Sequence, residues 1–273
     1  MKTFLFALVA TLLPSCSPIS ESERLIEVPH ARIERAVLIE DFTGQRCVNC
    51  PQAAAEIERL QQDYGQENIV AVAIHSGPLA IFSNSRVTGL RTDWGDAYYD
   101  HWGIEAEPSG LIDRRGGVVL VDKWASLVHQ ALQTEATVEL KADARLSGEG
   151  TIAVNIEYLA VNDFRGQLQL WVTEDSIVAP QMQPDGTLKQ DYMHHHVFRA
   201  AFNGLWGDEV NWPSGSQGTQ SFTASADEEW NPRHLSVIAF IYDDSGVHQA
   251  CQTPVILSSQ PSSSGRQQES AGQ

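Results

Sequence analysis

VLIEDFTGQRCVNCPQAAAEIERL, residues 37–60, passes from an apolar strand through a short polar turn into Cys-x-x-Cys and then a helix-period pattern. That order sets two thiols, Cys47 and Cys50, at the mouth of a helix just past a strand, where a redox dithiol belongs. In the strand, Val37, Ile39 and Asp41 share one face, and Leu38, Glu40 and Phe42 share the other. Apolar side chains on both faces suit a sheet covered by helices. In the helix, Ala53, Ile57, Leu60 and Tyr64 form one stripe. Pro51 sits near its start, where a missing N–H costs least, and Gly65 stands at the C-cap.

Working outward, Ile69–Ile74 (IVAVAI) reads as a buried parallel strand and completes a βαβ unit, with His75 at its end. Residues 78–91 read as loop with a short helix. Trp94, Tyr98 and Trp102 recur at four-residue steps on a helix over 92–102. Pro108 precedes an apolar run at 110–112, Arg115-Gly116-Gly117 turns the chain, and 118–121 returns as a hairpin. Trp124–Leu132 fits a further helix.

Near Thr134 the pattern changes to short alternating strands, at 138–146, 152–160, 168–173, 194–202, 219–224, 235–242 and 247–255. With turns bearing Gly, Asp and Asn, these predict a β-sandwich, and 181–192 and 204–218 are its longer loops. Residues 258–273 lack an apolar anchor and read as a disordered tail.

The chain has 273 residues, and 35 acidic side chains against 18 basic ones give a net charge of -17. No basic footprint exists, so nucleic-acid binding is not expected. Lys2, the apolar run Phe4–Leu13 and Leu13-Pro14-Ser15-Cys16 read as a signal peptide over 1–15, too short to span a bilayer. Its end resembles a bacterial lipobox. That resemblance implies lipidation (palmitate) on Cys16, and Ser17 after it implies the outer membrane. The expected organisation is signal peptide 1–15, tether 16–30, an α/β domain over 31–134, a β-sandwich domain over 135–257, and the tail.

The Cys-x-x-Cys unit, the strand after it, and Trp102-Gly103-Ile104 leading to Pro108 and a hairpin resemble thioredoxin-like proteins in their order. The resemblance implies that Pro108 is the cis proline opposite the dithiol, and that Asp41 is the buried acid six residues before Cys47. The chain departs from that pattern in its Val48-Asn49 dithiol interior, its reduced amino-terminal βα unit and its longer segment between His75 and Trp102. Two phrases, DFTGQRCVNCP (41–51) and YMHHHVFRAAFNGLWG (192–207), are closer to a narrower group. They resemble the Bacteroidetes outer-membrane lipoprotein family typified by a protein of about 28 kilodaltons, a family named for place and size rather than activity. It implies a thioredoxin-like part followed by an all-β, immunoglobulin-like sandwich.

The chemistry expected is thiol–disulfide exchange on exported proteins. Cys47 attacks, because backbone N–H groups at a helix N-terminus favour the thiolate. Cys50, one turn on, resolves the mixed disulfide. Asp41 would exchange a proton with Cys50 if burial raises its pKa. His75, at the sheet mouth, or Arg46 could stabilise the Cys47 thiolate, and Pro108 would leave neighbouring backbone free for an extended substrate. The alternative is a non-catalytic surface or periplasmic binding lipoprotein with Cys47–Cys50 as a structural clip. No cofactor is implied. Tetrahedral zinc wants four ligands, and no second Cys-x-x-Cys exists. In a strand, His194 and His196 would share a face, which is too few ligands for a site. Cys251 reads as a free buried thiol.

Overall fold

The computed structural model describes residues 33–258. The signal peptide, the tether with Cys16, and the tail beyond Ser258 lie outside the described residues.

The organising strand is β1, Val37–Thr43, all seven of whose residues are buried. It pairs in parallel with β2, Ile69–His75, through α1, Cys50–Tyr64. On its other side it pairs antiparallel with β3, Ser109–Ile112, which is reached through α2, Asp93–Trp102. Thr92 caps α2 by accepting from the Gly95 N–H at 3.0 Å, and Gly103 ends it at a φ of 61°. A short β4, Val119–Leu120, and α3, Trp124–Leu132, complete this half.

The alternation along β1 sorts two cores. Val37 and Ile39 pack with Ala53, Ile57 and Leu60 of α1 and with Trp124 and Val128 of α3. Leu38 and Phe42 face the opposite way, toward Tyr98 of α2 and toward Trp171 and Phe240 of the second half. Gly110 is required where β3 crosses this layer. A Cβ there would stand 2.5 Å from the Glu40 carbonyl oxygen and 2.8 Å from the Trp124 ring.

The second half is all β. Its strands are β5 (Val138–Leu146), β6 (Thr151–Ala160), β7 (Phe164–Glu174), β8 (Ile177–Met182), β9 (Leu188–His194), β10 (Val197–Ala201), β11 (Asp208–Trp212), β12 (Gln217–Ser225), β13 (Leu235–Asp243) and β14 (Gly246–Leu257). β12, β6 and β5 form one layer of the sandwich, and β14, β13, β7, β10 and β11 form the other. The long β14 serves both, pairing with β13 over most of its length and then with β5 at Val255–Leu257. Leu168, Leu170 and Val172 point into the sandwich core, while Trp171 between them points into the core shared with α2. β7 is thus covered on both faces, and its run reads as continuous burial from Leu168 to Glu174.

The two halves are joined by hydrogen-bonded sheet. Val197 of β10 pairs in parallel with Ala73 of β2, and the Ala73 N–H donates to the His196 carbonyl at 2.8 Å. One ladder therefore runs from β4 to β12.

Four sequence expectations are corrected. Residues 78–91 hold no helix, only an isolated bridge from Asn84 to Val87, because the Asn84 side chain accepts from the Arg86 N–H and sets a turn. The loop expected at 181–192 is mostly the β8–β9 hairpin, turned at Asp185-Gly186. Five of the seven β9 residues are exposed, so no apolar alternation marked it. The loop expected at 204–218 contains β11. The strand expected over 194–202 breaks at His196, whose φ is 55°, so His194 and His196 belong to different segments and do not share a strand face.

Candidate functional site

Cys47 and Cys50 form a disulfide at the N-terminus of α1, with their Cα atoms 5.4 Å apart. The turn before it is held by backbone bonds from the Cys47 N–H to the Gly44 carbonyl (3.0 Å) and from the Arg46 N–H to the Leu79 carbonyl (2.9 Å). Pro51 fixes the first turn of the helix. Val48 and Asn49 are exposed, but Cys47 and Cys50 are only 2% and 3% exposed.

Asp41 lies on the face of β1 that carries Val37 and Ile39, hence toward α1. It is buried, and its Oδ1 has no hydrogen-bond partner in the protein. Burial, with the neighbouring charge of Glu107, pushes its carboxyl up to about 8. Pro108 follows a cis peptide bond from Glu107 and leads directly into β3.

Glu107 itself was not singled out by the sequence. Its carboxyl reaches the dithiol: one of its oxygens and the two sulfurs all lie within 4.8 Å of one another. Both carboxyl oxygens are buried without a partner. Two glycines make room for them. A Cβ on Gly44 would stand 2.7 Å from Oε2, and one on Gly77 would stand 3.1 Å from Oε1. Burial, partly offset by Arg91, raises this carboxyl to about 7. With both sulfurs spent in the disulfide, the trio offers a cation no thiolate. Its one trace in the sequence is an acid immediately before Pro108.

His75 ends β2 opposite Thr43. Its ring meets that of His194 edge-on, with centroids 5.1 Å apart, and its Nδ1 has no partner. Burial, then the charges of His194 and Arg199, hold it well below the usual histidine range. It therefore has no positive charge to lend Cys47 at neutral pH. Arg46 is exposed. His75, His194, Cys50 and Cys251 all line one groove of about 1080 Å³ between α1, β9 and β14. Cys251 is a free thiol, and burial pushes it up to about 12.

The β8–β9 hairpin grips the dithiol turn from the second half of the chain. Gln181 Nε2 donates to the carbonyl oxygens of Cys47 (2.9 Å) and Gly44 (3.3 Å). The Met182 N–H donates to the Gln45 carbonyl at 2.9 Å. The Gln45 side chain returns the contact, donating to the Pro180 carbonyl at 3.2 Å and accepting from the Leu90 N–H at 3.0 Å. No pattern near Cys47 announces this, since Gln181 is 134 residues away.

Fold and site together define a thioredoxin-like protein with a β-sandwich attached, carrying a closely spaced cysteine pair joined as a disulfide at a helix N-terminus. The chain belongs to the outer membrane protein Omp28 family, whose model matches residues 95–257. The matched segment begins after the dithiol and takes in the whole β-sandwich. Membership puts the chain at the outer membrane. Among solved structures, HBP35 of Porphyromonas gingivalis is similar in fold, with a TM-score of 0.63 and 15% identity over 82% of this chain and 76% of that one. A domain of the outer membrane lipoprotein Omp28 from the same organism covers 45% of this chain and 92% of its own, at 20% identity and a TM-score of 0.35. A search of the curated proteins gives no match. Among the described residues, no helix is long and apolar enough to cross a membrane.

Proposed function

We propose that this chain carries out thiol–disulfide exchange on exported proteins while tethered to the outer membrane by lipid on Cys16. Cys47 is the sulfur that an incoming thiolate attacks and that later attacks a substrate disulfide. Cys50 is its resolving partner. Asp41 holds a buried proton behind the pair, beside the charge of Glu107, and Pro108 lies beside the path of an extended substrate. The observation that carries this reading is the setting of the disulfide. It stands at a helix N-terminus, which stabilises a thiolate, and against the buried Glu107 carboxyl, which has no partner of its own and which a mere clip does not need. The test is turnover: the protein, driven by dithiothreitol, should reduce a disulfide-bonded protein substrate. Cys47→Ser should abolish this with circular dichroism unchanged.

A second reading has its own support. Both sulfurs are nearly inaccessible, and the hairpin holds their turn, as suits a structural disulfide in a surface binding lipoprotein. Under that reading Cys47→Ser lowers thermal stability and no turnover exists to lose.

A further inference from the structure

We propose that Glu107 is the proton-transfer residue of the Cys47–Cys50 pair, giving a proton to Cys50 when the disulfide opens and taking it back when the disulfide closes. This rests on the exchange reading above.

The argument starts from position. Glu107 stands just before Pro108 and β3, within reach of the sulfurs, and no hydrogen bond holds its carboxyl. Both oxygens lack partners. Asp41 also has an unpartnered oxygen but does not join the close group of Glu107 and the two sulfurs, and the other carboxylates buried nearby are committed. Glu40 receives Arg114 at 2.7 Å, Asp113 receives the Leu38 N–H at 2.9 Å, and Glu174 receives Arg199 at 2.7 Å. A carboxyl that makes no structural bond, in a slot kept open by Gly44 and Gly77, is free to change protonation without disturbing the fold. The groups that face it come from each element around it. They are Asp41 from β1, the two sulfurs at α1, Arg91 from the loop before α2, and Asp96 and Tyr99 from α2. Arg91 is engaged by Asp96 at 2.8 Å, so it does not clamp Glu107 as an ion pair. A carboxyl that titrates near 7 suits a group that must both give and accept a proton at neutral pH.

The step balances as follows. A substrate dithiol, with one thiol ionised, attacks Sγ of Cys47. A substrate–Cys47 bond forms, the Cys47–Cys50 bond breaks, and the electron pair goes to Cys50. Cys50 takes the proton of Glu107, leaving a carboxylate. That carboxylate then removes the proton of the substrate's second thiol, which attacks the substrate's own bonded sulfur and expels Cys47 as thiolate. The substrate has become a disulfide, the protein a dithiol, and Glu107 is protonated again. The reverse direction uses the same groups.

The experiment is stopped-flow reduction of the protein disulfide by dithiothreitol from pH 5 to 9, with rates expressed per reductant thiolate, in wild type, Glu107→Gln and Glu107→Asp. The wild-type rate should fall as pH rises through about 7, because the proton donor is lost. Glu107→Gln should be at least roughly tenfold slower below that pH and should lose the fall. Glu107→Asp should keep the inflection at a reduced rate. Should Glu107→Gln fail to fold, Glu107→Asp decides, and an unchanged rate and profile there overturns the proposal. A Glu107→Gln profile that matches wild type also overturns it and leaves exchange standing. A wild-type disulfide that dithiothreitol reduces only on unfolding sinks the exchange reading itself, and Glu107's role with it.

Discussion

Gln181 donates its side-chain amide to the carbonyl oxygen of Cys47 at 2.9 Å, so a residue of the β-sandwich half touches the backbone of the dithiol in the other half. The contact explains how the matched family segment, which starts beyond the dithiol, comes to bear on it. It also makes access to the disulfide depend on the β8–β9 hairpin.

Gln181→Ala should therefore speed reduction of the disulfide by an external thiol. The bonds lost are worth about 1 kcal/mol net, so opening should be roughly fivefold more frequent, and the rate should rise by that factor. The equilibrium potential should stay put, since the hairpin is not part of the redox couple. Alkylation kinetics after brief reductant pulses would measure this. An unchanged rate would mean that the hairpin does not limit access.

Asp41 predicts a stability that depends on pH. Its carboxyl titrates near 8 in the fold against an ordinary value of about 3.9 in the unfolded chain. The fold thus binds a proton that the unfolded chain has released. This contribution is fully present below about 4 and is lost as pH rises toward 8. Asp41→Asn removes that loss. It should stabilise the protein more at pH 8 than at pH 5, with a difference on the order of 3 kcal/mol by urea denaturation. A difference near zero would mean that Asp41 is not held protonated.

Arg114 predicts a large loss of stability at its buried ion pair with Glu40. The turn after β3 puts Asp113 and Arg114 at φ values of 51° and 56°, and aims Arg114 at Glu40. Its guanidinium also lies over the rings of Tyr242 (4.5 Å) and Phe240 (4.9 Å). Arg114→Ala leaves Glu40 buried and unpaired, and should cost about 3–5 kcal/mol. Arg165→Ala, which breaks an exposed pair with Glu209, should cost less than about 1 kcal/mol. Parallel thermal melts would separate the two.

What could be read from the sequence was what is local. The strand at 37–43, the helix that Cys50 opens, and the strand ending at His75 each carry their own period. The alternating strands of the second half do the same. Two kinds of feature escaped. The β9 strand of the β8–β9 hairpin lies largely at the surface, so it shows no buried alternation, and the hairpin's grip on the dithiol turn depends on contacts between residues 134 apart. Glu107 escaped because one acid before a proline has no periodicity. Only the fold brings it to the sulfurs. The histidine run misled in the opposite direction, since the left-handed turn at His196 breaks the strand that the pattern implied.

The central claim is that the Cys47–Cys50 pair opens and closes in the folded protein, and its redox equilibrium tests this most directly. The full chain would be equilibrated in glutathione buffers at neutral pH, quenched and alkylated, with Cys47→Ser as the control. The account predicts a reversible midpoint above roughly −300 mV, reached without unfolding. A pair that stays oxidised well below about −300 mV, and whose thiols alkylate only when the chain is denatured, would contradict it.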